Sequence, residues 1–222
     1  MKKVCVVIPA YNEENKIGEV VERINKIGEV EEIIVVDDGS TDSTALEAEK
    51  KGATVLKHPK NIGKGKALLT GFKYAIEKGY ESVITMDGDG QHLPEEIPSF
   101  LKVADKADII VGSRMQKPEG MPPIRFFTNL LTSLLTSLLA GRRIKDSQSG
   151  FRLIKTYVLK NLDLTATKFD IESEILIKAG KKGYRIMEIP ITTVYLPDSI
   201  KRSKISPLRD TLRFIYLIWR NL

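Results

Sequence analysis

Three short segments of the sequence combine acidic side chains with amides or an aromatic ring. They read Pro9-Ala10-Tyr11-Asn12-Glu13, Asp37-Asp38-Gly39-Ser40-Thr41-Asp42 and Asp87-Gly88-Asp89-Gly90-Gln91-His92. Glycines in the last segment permit a turn in which Asp87 and Asp89 point at one ligand. Hard oxygen ligands of this kind suit Mg²⁺ or Mn²⁺ bound together with phosphate groups. A solvated Asp-Gly turn is the alternative, because short acidic motifs are also common in turns.

A glycine-rich segment, Gly63-Lys64-Gly65-Lys66, is a second candidate for phosphate binding. It is not a Walker A loop, because Ala67 stands where Ser or Thr is required and Lys60 where Gly is required. It is not a dinucleotide fingerprint either, since the first strand–helix turn contains no glycine. Two interpretations stay open: a glycine-rich helix start with solvated lysines, or a site near nucleotide phosphates.

The elements that must position these segments are short β-branched runs that alternate with helical patterns. Strands are predicted at 4–9, 32–37, 53–57, 82–87 and 108–112, and helices at 13–26, 43–51, 66–78 and 94–104. This rhythm predicts an α/β fold with a mostly parallel sheet flanked by helices. Ligands of such sheets bind outside the carboxyl ends of the strands, where all three segments fall. Their position therefore favours a metal site over a solvated turn.

The second half of the chain is less regular. We expect a loop at 118–123, an amphipathic helix at 124–140, a short strand at 151–154, a helix at 169–182, a strand at 185–195, a basic loop at 198–206 and a last helix at 207–221. The apolar stretch 124–140 is too short and too polar to be a membrane span, which needs about 20 predominantly apolar residues.

Length and composition limit the number of domains, the disulfide content and the partners that we expect for this chain. The 222 residues fit one domain, predicted as 1–222, and a single cysteine excludes an internal disulfide framework. The net charge of +6 permits nucleic acid, nucleotide phosphates or an anionic membrane as partner. No nucleic-acid-binding motif is present, so nucleic acid is not expected.

Six ordered motifs together resemble the GT-A glycosyltransferases of family 2, and most of all the polyprenyl (dolichyl) phosphate mannosyl- and glucosyltransferases. Beyond the three acidic segments, the first of which is preceded by Val7-Ile8, they are Asn61-x-Gly63-Lys64-Gly65, Gly112-Ser113-Arg114 and Ser149-Gly150-Phe151-Arg152. The resemblance covers about residues 3–205. It implies a GT-A (nucleotide-diphospho-sugar transferase) fold and inverting transfer of a hexose to polyprenyl or dolichyl phosphate. Mannose from GDP-mannose is favoured and glucose from UDP-glucose comes next, while N-acetylglucosamine with uracil fits the same loops.

The resemblance also implies roles for individual residues. The metal ligands for Mg²⁺ or Mn²⁺ would be Asp87, Asp89 and Gln91. The catalytic residues would be Asp89, Arg114 and Arg125, and the acceptor phosphate would meet Arg125 and Asn129. The nucleotide sugar would be bound by Pro9, Tyr11, Glu13, Val36, Asp38, Lys64, Asp87, Gly88, Asp89, Gln91, Arg114 and Lys204. One departure is Asp198, which stands where many relatives carry Arg; Arg202 is the residue that could supply that charge from a shifted position.

Polar residues near the motifs carry more than one interpretation. Asp146 either orients groups near the acceptor or pairs with Arg142 or Arg143. Glu172 and Glu174 are expected on a solvated helix face, with one of them facing the site as the alternative. His92 is expected to lie beside the metal ligands rather than to be one.

Two helices carry apolar faces beside basic residues. The face of 124–140 consists of Ile124, Phe127, Leu131, Leu134, Leu135, Leu138 and Leu139, and the second helix is 207–221. Such faces suit a membrane interface, and packing onto the sheet or across a dimer is the alternative. We therefore expect peripheral association with the cytoplasmic face of a membrane. The competing functions are a family 2 enzyme with a soluble or protein acceptor and a nucleotide-sugar-binding protein without catalysis.

Overall fold

The computed structural model describes residues 3–116, 120–168 and 170–194. The strands of this part are β1 Val4–Ala10, β2 Glu32–Asp37, β3 Thr54–Lys57, β4 Ser82–Thr85, β5 Ile109–Ser113, β6 Arg152–Lys155 and β7 Ile186–Pro190. The α-helices are α1 Ile17–Asn25, α2 Thr44–Lys50, α3 Lys64–Glu77, α4 Ile97–Lys102, α5 Pro123–Ala140, α6 Thr156–Asn161 and α7 Ile171–Lys181. The basic loop 198–206 with Lys204, and the helix 207–221, lie outside the described residues. The single domain 1–222 stays a prediction.

The strands form one sheet in the order β3-β2-β1-β4-β6-β5-β7. Neighbouring strands are parallel except for β6, which is antiparallel to both β4 and β5. The predicted mostly parallel α/β sheet is confirmed. Because β6 runs in the opposite direction, its first residue, Arg152, lies at the edge where β4 and β5 end. The segment 149–152 is thereby brought to the same edge as the three acidic segments.

Helices cover both faces of the sheet. Val6 and Ile8 of β1 point to the face covered by α1 and α4, whereas Cys5 and Val7 point to the face covered by α3 and α7. Strands buried on both faces explain the continuous apolar runs of the sequence. The sheet is a rigid platform, and the loops at its carboxyl edge are the segments on which a ligand site can be built.

Helix α5 buries its polar side and exposes its apolar side, which is the reverse of the usual arrangement. Its buried residues are Asn129, Ser133, Thr136 and Ala140, all of them polar or small. Most of its large apolar side chains are exposed, with Ile124 at 74%, Phe127 at 66% and Leu138 at 71%. The interpretation that this apolar face packs onto the sheet is therefore wrong. Within the described part of the chain, no helix has the length and apolarity needed to cross a bilayer.

Candidate active site

Two carboxylates follow β4 at the carboxyl edge of the sheet. The carboxylate of Asp89 accepts hydrogen bonds from the backbone N–H of Gln91 at 3.0 Å and from its side-chain amide. Burial and the neighbouring charge of Asp87 raise the pKa of Asp89. Burial would also raise the pKa of Asp87, but the Lys64 ammonium outweighs it and lowers that pKa to about 2. The two acids are thus close enough to repel each other, and among the described residues only Asp87 has a cation at ion-pair distance.

Lys64 supplies that cation from the first residue of α3. Its Nζ lies 2.6 Å from Asp87 Oδ1 and 2.7 Å from Glu172 Oε1. The residue before it, Gly63, has φ 109°, and a side chain there would lie 2.4 Å from the backbone oxygen of Thr167. The glycine-rich segment is therefore a tightly packed helix start. Its interpretation as a set of solvated lysines is wrong for Lys64, whose side chain is 16% exposed and held in an ion-pair cluster.

Asp38 holds the glycine-rich segment against the end of β2. Its carboxylate accepts hydrogen bonds from the backbone N–H groups of Ile62 at 3.0 Å and Gly63 at 2.7 Å. The Nδ1 atom of His58 lies 2.8 Å from the same carboxylate. Asp38 is only 3% exposed. The residue predicted to read the nucleotide base thus has both carboxylate oxygens engaged by the protein itself.

Arg114, which follows β5, is held in place by Asp146. Its Nε and Nη2 atoms each donate to Asp146 at 2.8 Å, and its backbone N–H donates at 2.9 Å. Asn129 donates to the same carboxylate at 2.8 Å. Burial would raise the pKa of Asp146, but these donors outweigh it and lower the pKa. The interpretation that Asp146 pairs with Arg142 or Arg143 is wrong, since its ionic partner is Arg114.

Asn129 is consequently part of the interior. It is 2% exposed, and its carboxamide joins Asp146 to Ser133 of the buried side of α5. Sequence reasoning missed a further partner, Glu188 of β7, whose Oε1 accepts the backbone N–H groups of Lys145 and Asp146 at 2.9 Å each. An acid inside a strand pattern of Val, Ile and Thr was the only signal that could have pointed to it.

Arg152 is the largest fully buried side chain of the described residues. It donates to the carbonyl oxygens of Ser147 at 2.8 Å, Ser149 at 2.7 Å and Glu172 at 2.6 Å. Burial lowers the pKa of Arg152 to about 10. Arg152 therefore fixes the loop before β6 against the start of α7. Gly150 in this loop is a close approach, because a side chain there would lie 2.9 Å from Asp87 Oδ2.

The expected solvated face of α7 is wrong for both of its acids. Glu174 is fully buried and accepts hydrogen bonds from the backbone N–H groups of Thr165 and Ala166. Glu172 is 4% exposed and faces Lys64, which was the alternative interpretation. The misassignment has a simple cause: α7 packs against both the sheet and α5, so even its polar positions are covered.

The remaining predicted residues differ in how accessible they are to a ligand. Val36 is fully buried in the core beside Pro9, so its side chain is not available to a ligand. Tyr11 and Glu13 follow β1 and are partly exposed, as is Arg125 in the first turn of α5.

His92 accepts the backbone N–H of Asp87 at 3.3 Å, as expected of a residue beside the metal ligands. Lys204 lies outside the described residues, and Gly88 packs on β1 and α1.

The donors present fit a divalent cation that is shared with a substrate. Asp87, Asp89 and Gln91 offer carboxylate and amide oxygens, which are the hard ligands preferred by Mg²⁺ and Mn²⁺. Among the described residues, no three His, Cys, Asp or Glu side chains converge to form an all-protein metal site. Mg²⁺ in particular is usually bound by one or two carboxylates, with substrate phosphates and water completing its shell. The arrangement matches that mode of binding.

Comparisons with known proteins agree with this chemistry. A family profile described as Glycosyl transferase family 2 matches residues 5–163. The UDP-N-acetylglucosamine–dolichyl-phosphate N-acetylglucosaminyltransferase of Methanococcus voltae is 37% identical over 90% of this chain and 89% of that protein. The undecaprenyl-phosphate mannosyltransferase of Micrococcus luteus is 30% identical over 86% of this chain and 84% of that protein.

A solved structure has the same fold. The glucosyl-3-phosphoglycerate synthase of Mycobacterium tuberculosis, in complex with Mn²⁺, uridine diphosphate and phosphoglyceric acid, superposes with a TM-score of 0.77. The match covers 99% of this chain and 78% of the synthase, at 22% sequence identity. At that level of identity the likeness concerns the fold and carries no information about the acceptor.

Proposed function

The chain belongs to glycosyl transferase family 2 and has a GT-A-like fold, and from this premise we propose that it transfers a hexose from a nucleotide diphosphate sugar to a polyprenyl phosphate. Mannose is the favoured sugar and glucose the next. The relatives named above differ in their sugars, one using N-acetylglucosamine and the other mannose, so all three belong in an assay.

The proposal of a lipid acceptor rests on one observation. Helix α5 connects Arg114 of the site to an exposed apolar surface. The buried side of α5 contacts Asp146 through Asn129, and Asp146 in turn holds Arg114. The opposite side of α5 exposes Phe127 and Leu138. Exposed apolar surface of this size beside a phosphate-binding site fits an acceptor with a phosphate head and a long apolar tail. The same surface supports peripheral association with the cytoplasmic face of a membrane.

The chemistry follows from the charges at the sheet edge. A divalent cation held by Asp87, Asp89 and Gln91 would neutralise the charge that grows on the departing nucleoside diphosphate. Arg114 contributes a fixed positive charge, and its bidentate pair with Asp146 orients it before any ligand arrives. Arg125, partly exposed at the start of α5, would meet the acceptor phosphate. Asn129, the other residue predicted to meet that phosphate, is buried and donates to Asp146, so it would act on the site through that carboxylate.

The acceptor needs little activation. A phosphate monoester is already anionic at neutral pH, so a strong general base is not required for its attack on the sugar carbon. Attack from the face opposite the diphosphate would invert the configuration at that carbon, as the family resemblance implies. The protein has mainly to bind both substrates in line and to stabilise the leaving diphosphate.

The test is a transfer assay on the full chain with Mn²⁺ or Mg²⁺. GDP-mannose, UDP-glucose and UDP-N-acetylglucosamine are each offered with polyprenyl phosphate, and release of nucleoside diphosphate is measured. We expect release that requires both the metal and the lipid phosphate. Polyprenol without phosphate and 3-phosphoglycerate are the matched control acceptors. Turnover that proceeds equally well with 3-phosphoglycerate would refute the lipid acceptor, and donor binding without transfer to any acceptor would refute catalysis.

A further inference from the structure

Lys64, Asp87 and Glu172 form a charge cluster beside the proposed metal ligands. The Nζ atom of Lys64 is shared between Asp87 Oδ1 at 2.6 Å and Glu172 Oε1 at 2.7 Å. Glu172 is not one of the proposed metal ligands, whereas Asp87 is. The lysine therefore divides one positive charge between a metal ligand and a neighbouring acid that has no assigned role.

The buried carboxylate of Glu172 is able to accept a further contact. It is 4% exposed, and within the described residues its Oε2 atom has no hydrogen-bond partner. Leaving a buried carboxylate oxygen without a donor is unfavourable, so a stronger contact with a cation would stabilise it. Arg152 fixes the backbone of Glu172 at 2.6 Å, which keeps this acid within reach of Lys64.

The geometry also leaves room for Lys64 to move. A small cavity, about 10 Å³ in volume and about enough for one water molecule, is lined by Lys64, Asp87, Arg152 and Glu172 among others. The ammonium group already lies at ion-pair distance from Glu172, so only a small shift away from Asp87 is needed. Lys64 is anchored by its position at the tightly packed start of α3, so the movement is confined to its flexible stem.

An ammonium and a divalent cation compete for the same carboxylate. Lys64 lies against Asp87 Oδ1 at ion-pair distance, and a divalent cation on Asp87 would be repelled by the ammonium at close range. The interior dielectric makes such a repulsion stronger than it would be in water. Binding of the metal at Asp87 is therefore easier when Lys64 is held by Glu172.

We propose that Lys64 is a built-in competitor of the divalent cation at Asp87, and that Glu172 receives its ammonium when the cation binds. This inference rests on the proposed metal-dependent transfer. In the metal-free protein Lys64 keeps Asp87 neutralised and in place. In the metal-bound protein Glu172 removes the ammonium from the metal ligand. Lys64 and Glu172 are thus positioning residues that set the affinity for the metal.

The experiment measures Mn²⁺ binding to the full chain by electron paramagnetic resonance of the free ion, with neither donor nor acceptor present. In Glu172→Gln the ammonium loses one of the two carboxylates that share it and leans on Asp87, so we expect Mn²⁺ affinity to fall about tenfold. In the double variant Lys64→Met/Glu172→Gln the competitor is gone at unchanged net charge, and we expect affinity to rise about tenfold above the wild type. Opposite shifts are a result that a merely structural role would not produce.

Lys66→Met is the matched control, because Lys66 is an exposed lysine on the same helix and its removal should leave Mn²⁺ affinity unchanged. Thermal unfolding checks that each variant is folded, and the charge-balanced double variant carries the test if Glu172→Gln does not fold. Unchanged affinity in the double variant, or weaker binding, would overturn the inference. A wild type that binds Mn²⁺ but transfers no sugar to polyprenyl phosphate would instead refute the proposed function, whereas the Mn²⁺ affinities of the variants test the competition at Asp87 separately.

Discussion

The carboxyl edge of the sheet and the outer face of α5 depart from the usual distribution of side chains in opposite ways. The sheet edge buries charged groups, with Asp146 fully buried and Lys64 enclosed between two acids. The α5 face exposes apolar groups, with Ile124 at 74% and Leu138 at 71%. Buried charges are costly unless they are paired, and exposed apolar patches usually mark an interaction surface.

The buried charges of the sheet edge and the exposed apolar groups of α5 therefore find their partners in different ways. The buried charges find their partners within the protein, as Arg114 does with Asp146, so the sheet edge is organised before a ligand binds. Among the residues that the structure describes, none covers the apolar face of α5, and on the proposed function it is covered by a lipid. The first region should respond to mutation through catalysis and folding, and the second through association with membranes.

The largest effect should come from Asp89→Asn. Loss of one negative ligand removes most of the charge stabilisation of the leaving diphosphate, and transfer should fall by about 10²–10³-fold. Folding should not suffer, because the raised pKa of Asp89 indicates that its charge is unfavourable in the folded protein. The measurement is the rate of nucleoside diphosphate release, with thermal unfolding alongside. Activity near that of the wild type would remove Asp89 from the site.

Asp146→Asn tests whether the sheet edge is organised by its buried pair. The change leaves the guanidinium of Arg114 without its carboxylate, and we expect a loss of about 2–4 kcal/mol in the free energy of unfolding. Urea denaturation measures it. Glu95→Gln breaks the exposed pair between Arg23 and Glu95, which spans 2.7 Å, and serves as the control with an expected loss below about 1 kcal/mol. Equal losses in the two variants would contradict the distinction.

Leu134→Ser/Leu138→Ser tests the outer face of α5. Both side chains are exposed, so the free energy of unfolding should change by less than about 0.5 kcal/mol. Binding to vesicles that contain polyprenyl phosphate should weaken at least about tenfold, because two apolar side chains no longer enter the interface. Leu46→Ser on α2, which is 50% exposed, is the matched control and should bind as the wild type does. Vesicle binding that is insensitive to both changes would disconnect α5 from the membrane.

The smallest effect should appear in unfolding by acid. The pKa of Asp146 is lowered in the folded protein, so its contribution to stability is present above its unfolded value near 3.9 and is lost as the pH falls through the folded value. Asp146→Asn should therefore lose less stability than the wild type as the pH falls below about 4. The shift that this substitution produces in the midpoint of acid unfolding should differ by less than about one pH unit from the shift produced by the control Glu95→Gln. Circular dichroism during an acid titration measures it. Parallel acid curves for the wild type and Asp146→Asn would show that this pair does not titrate with unfolding.

Sequence reasoning succeeded where the signal is local. The β-branched runs around Val35 and Ile110 predicted buried parallel strands, and both lie in the core. The acidic segments were expected at the carboxyl edge because parallel strands end there together, and Asp87 and Asp89 do follow β4 at that edge. Both inferences need only residue type and spacing of two to six positions.

Sequence reasoning failed where two contacting residues are distant in the chain. Arg114 and Asp146 are 32 residues apart, and sequence proximity suggested Arg142 or Arg143 instead. The antiparallel insertion of β6, which carries Arg152 to the site, follows from strand pairing and not from the pattern of residues 151–154. The burial of Glu172 and Glu174 likewise depends on the packing of α7 against two neighbours.

The sequence by itself determined the α/β class, the edge at which the acidic segments lie, the chemistry of the proposed metal ligands and the amphipathic character of residues 124–140. Only the tertiary structure decided that Lys64 lies between Asp87 and Glu172, that Asp146 holds Arg114, and that α5 turns its polar side inward. Residue types fix what a side chain is able to bind, and their periodicity fixes the local backbone. Pairing and burial depend instead on which elements meet in the folded chain, and that is decided by the packing of the whole sheet and its helices.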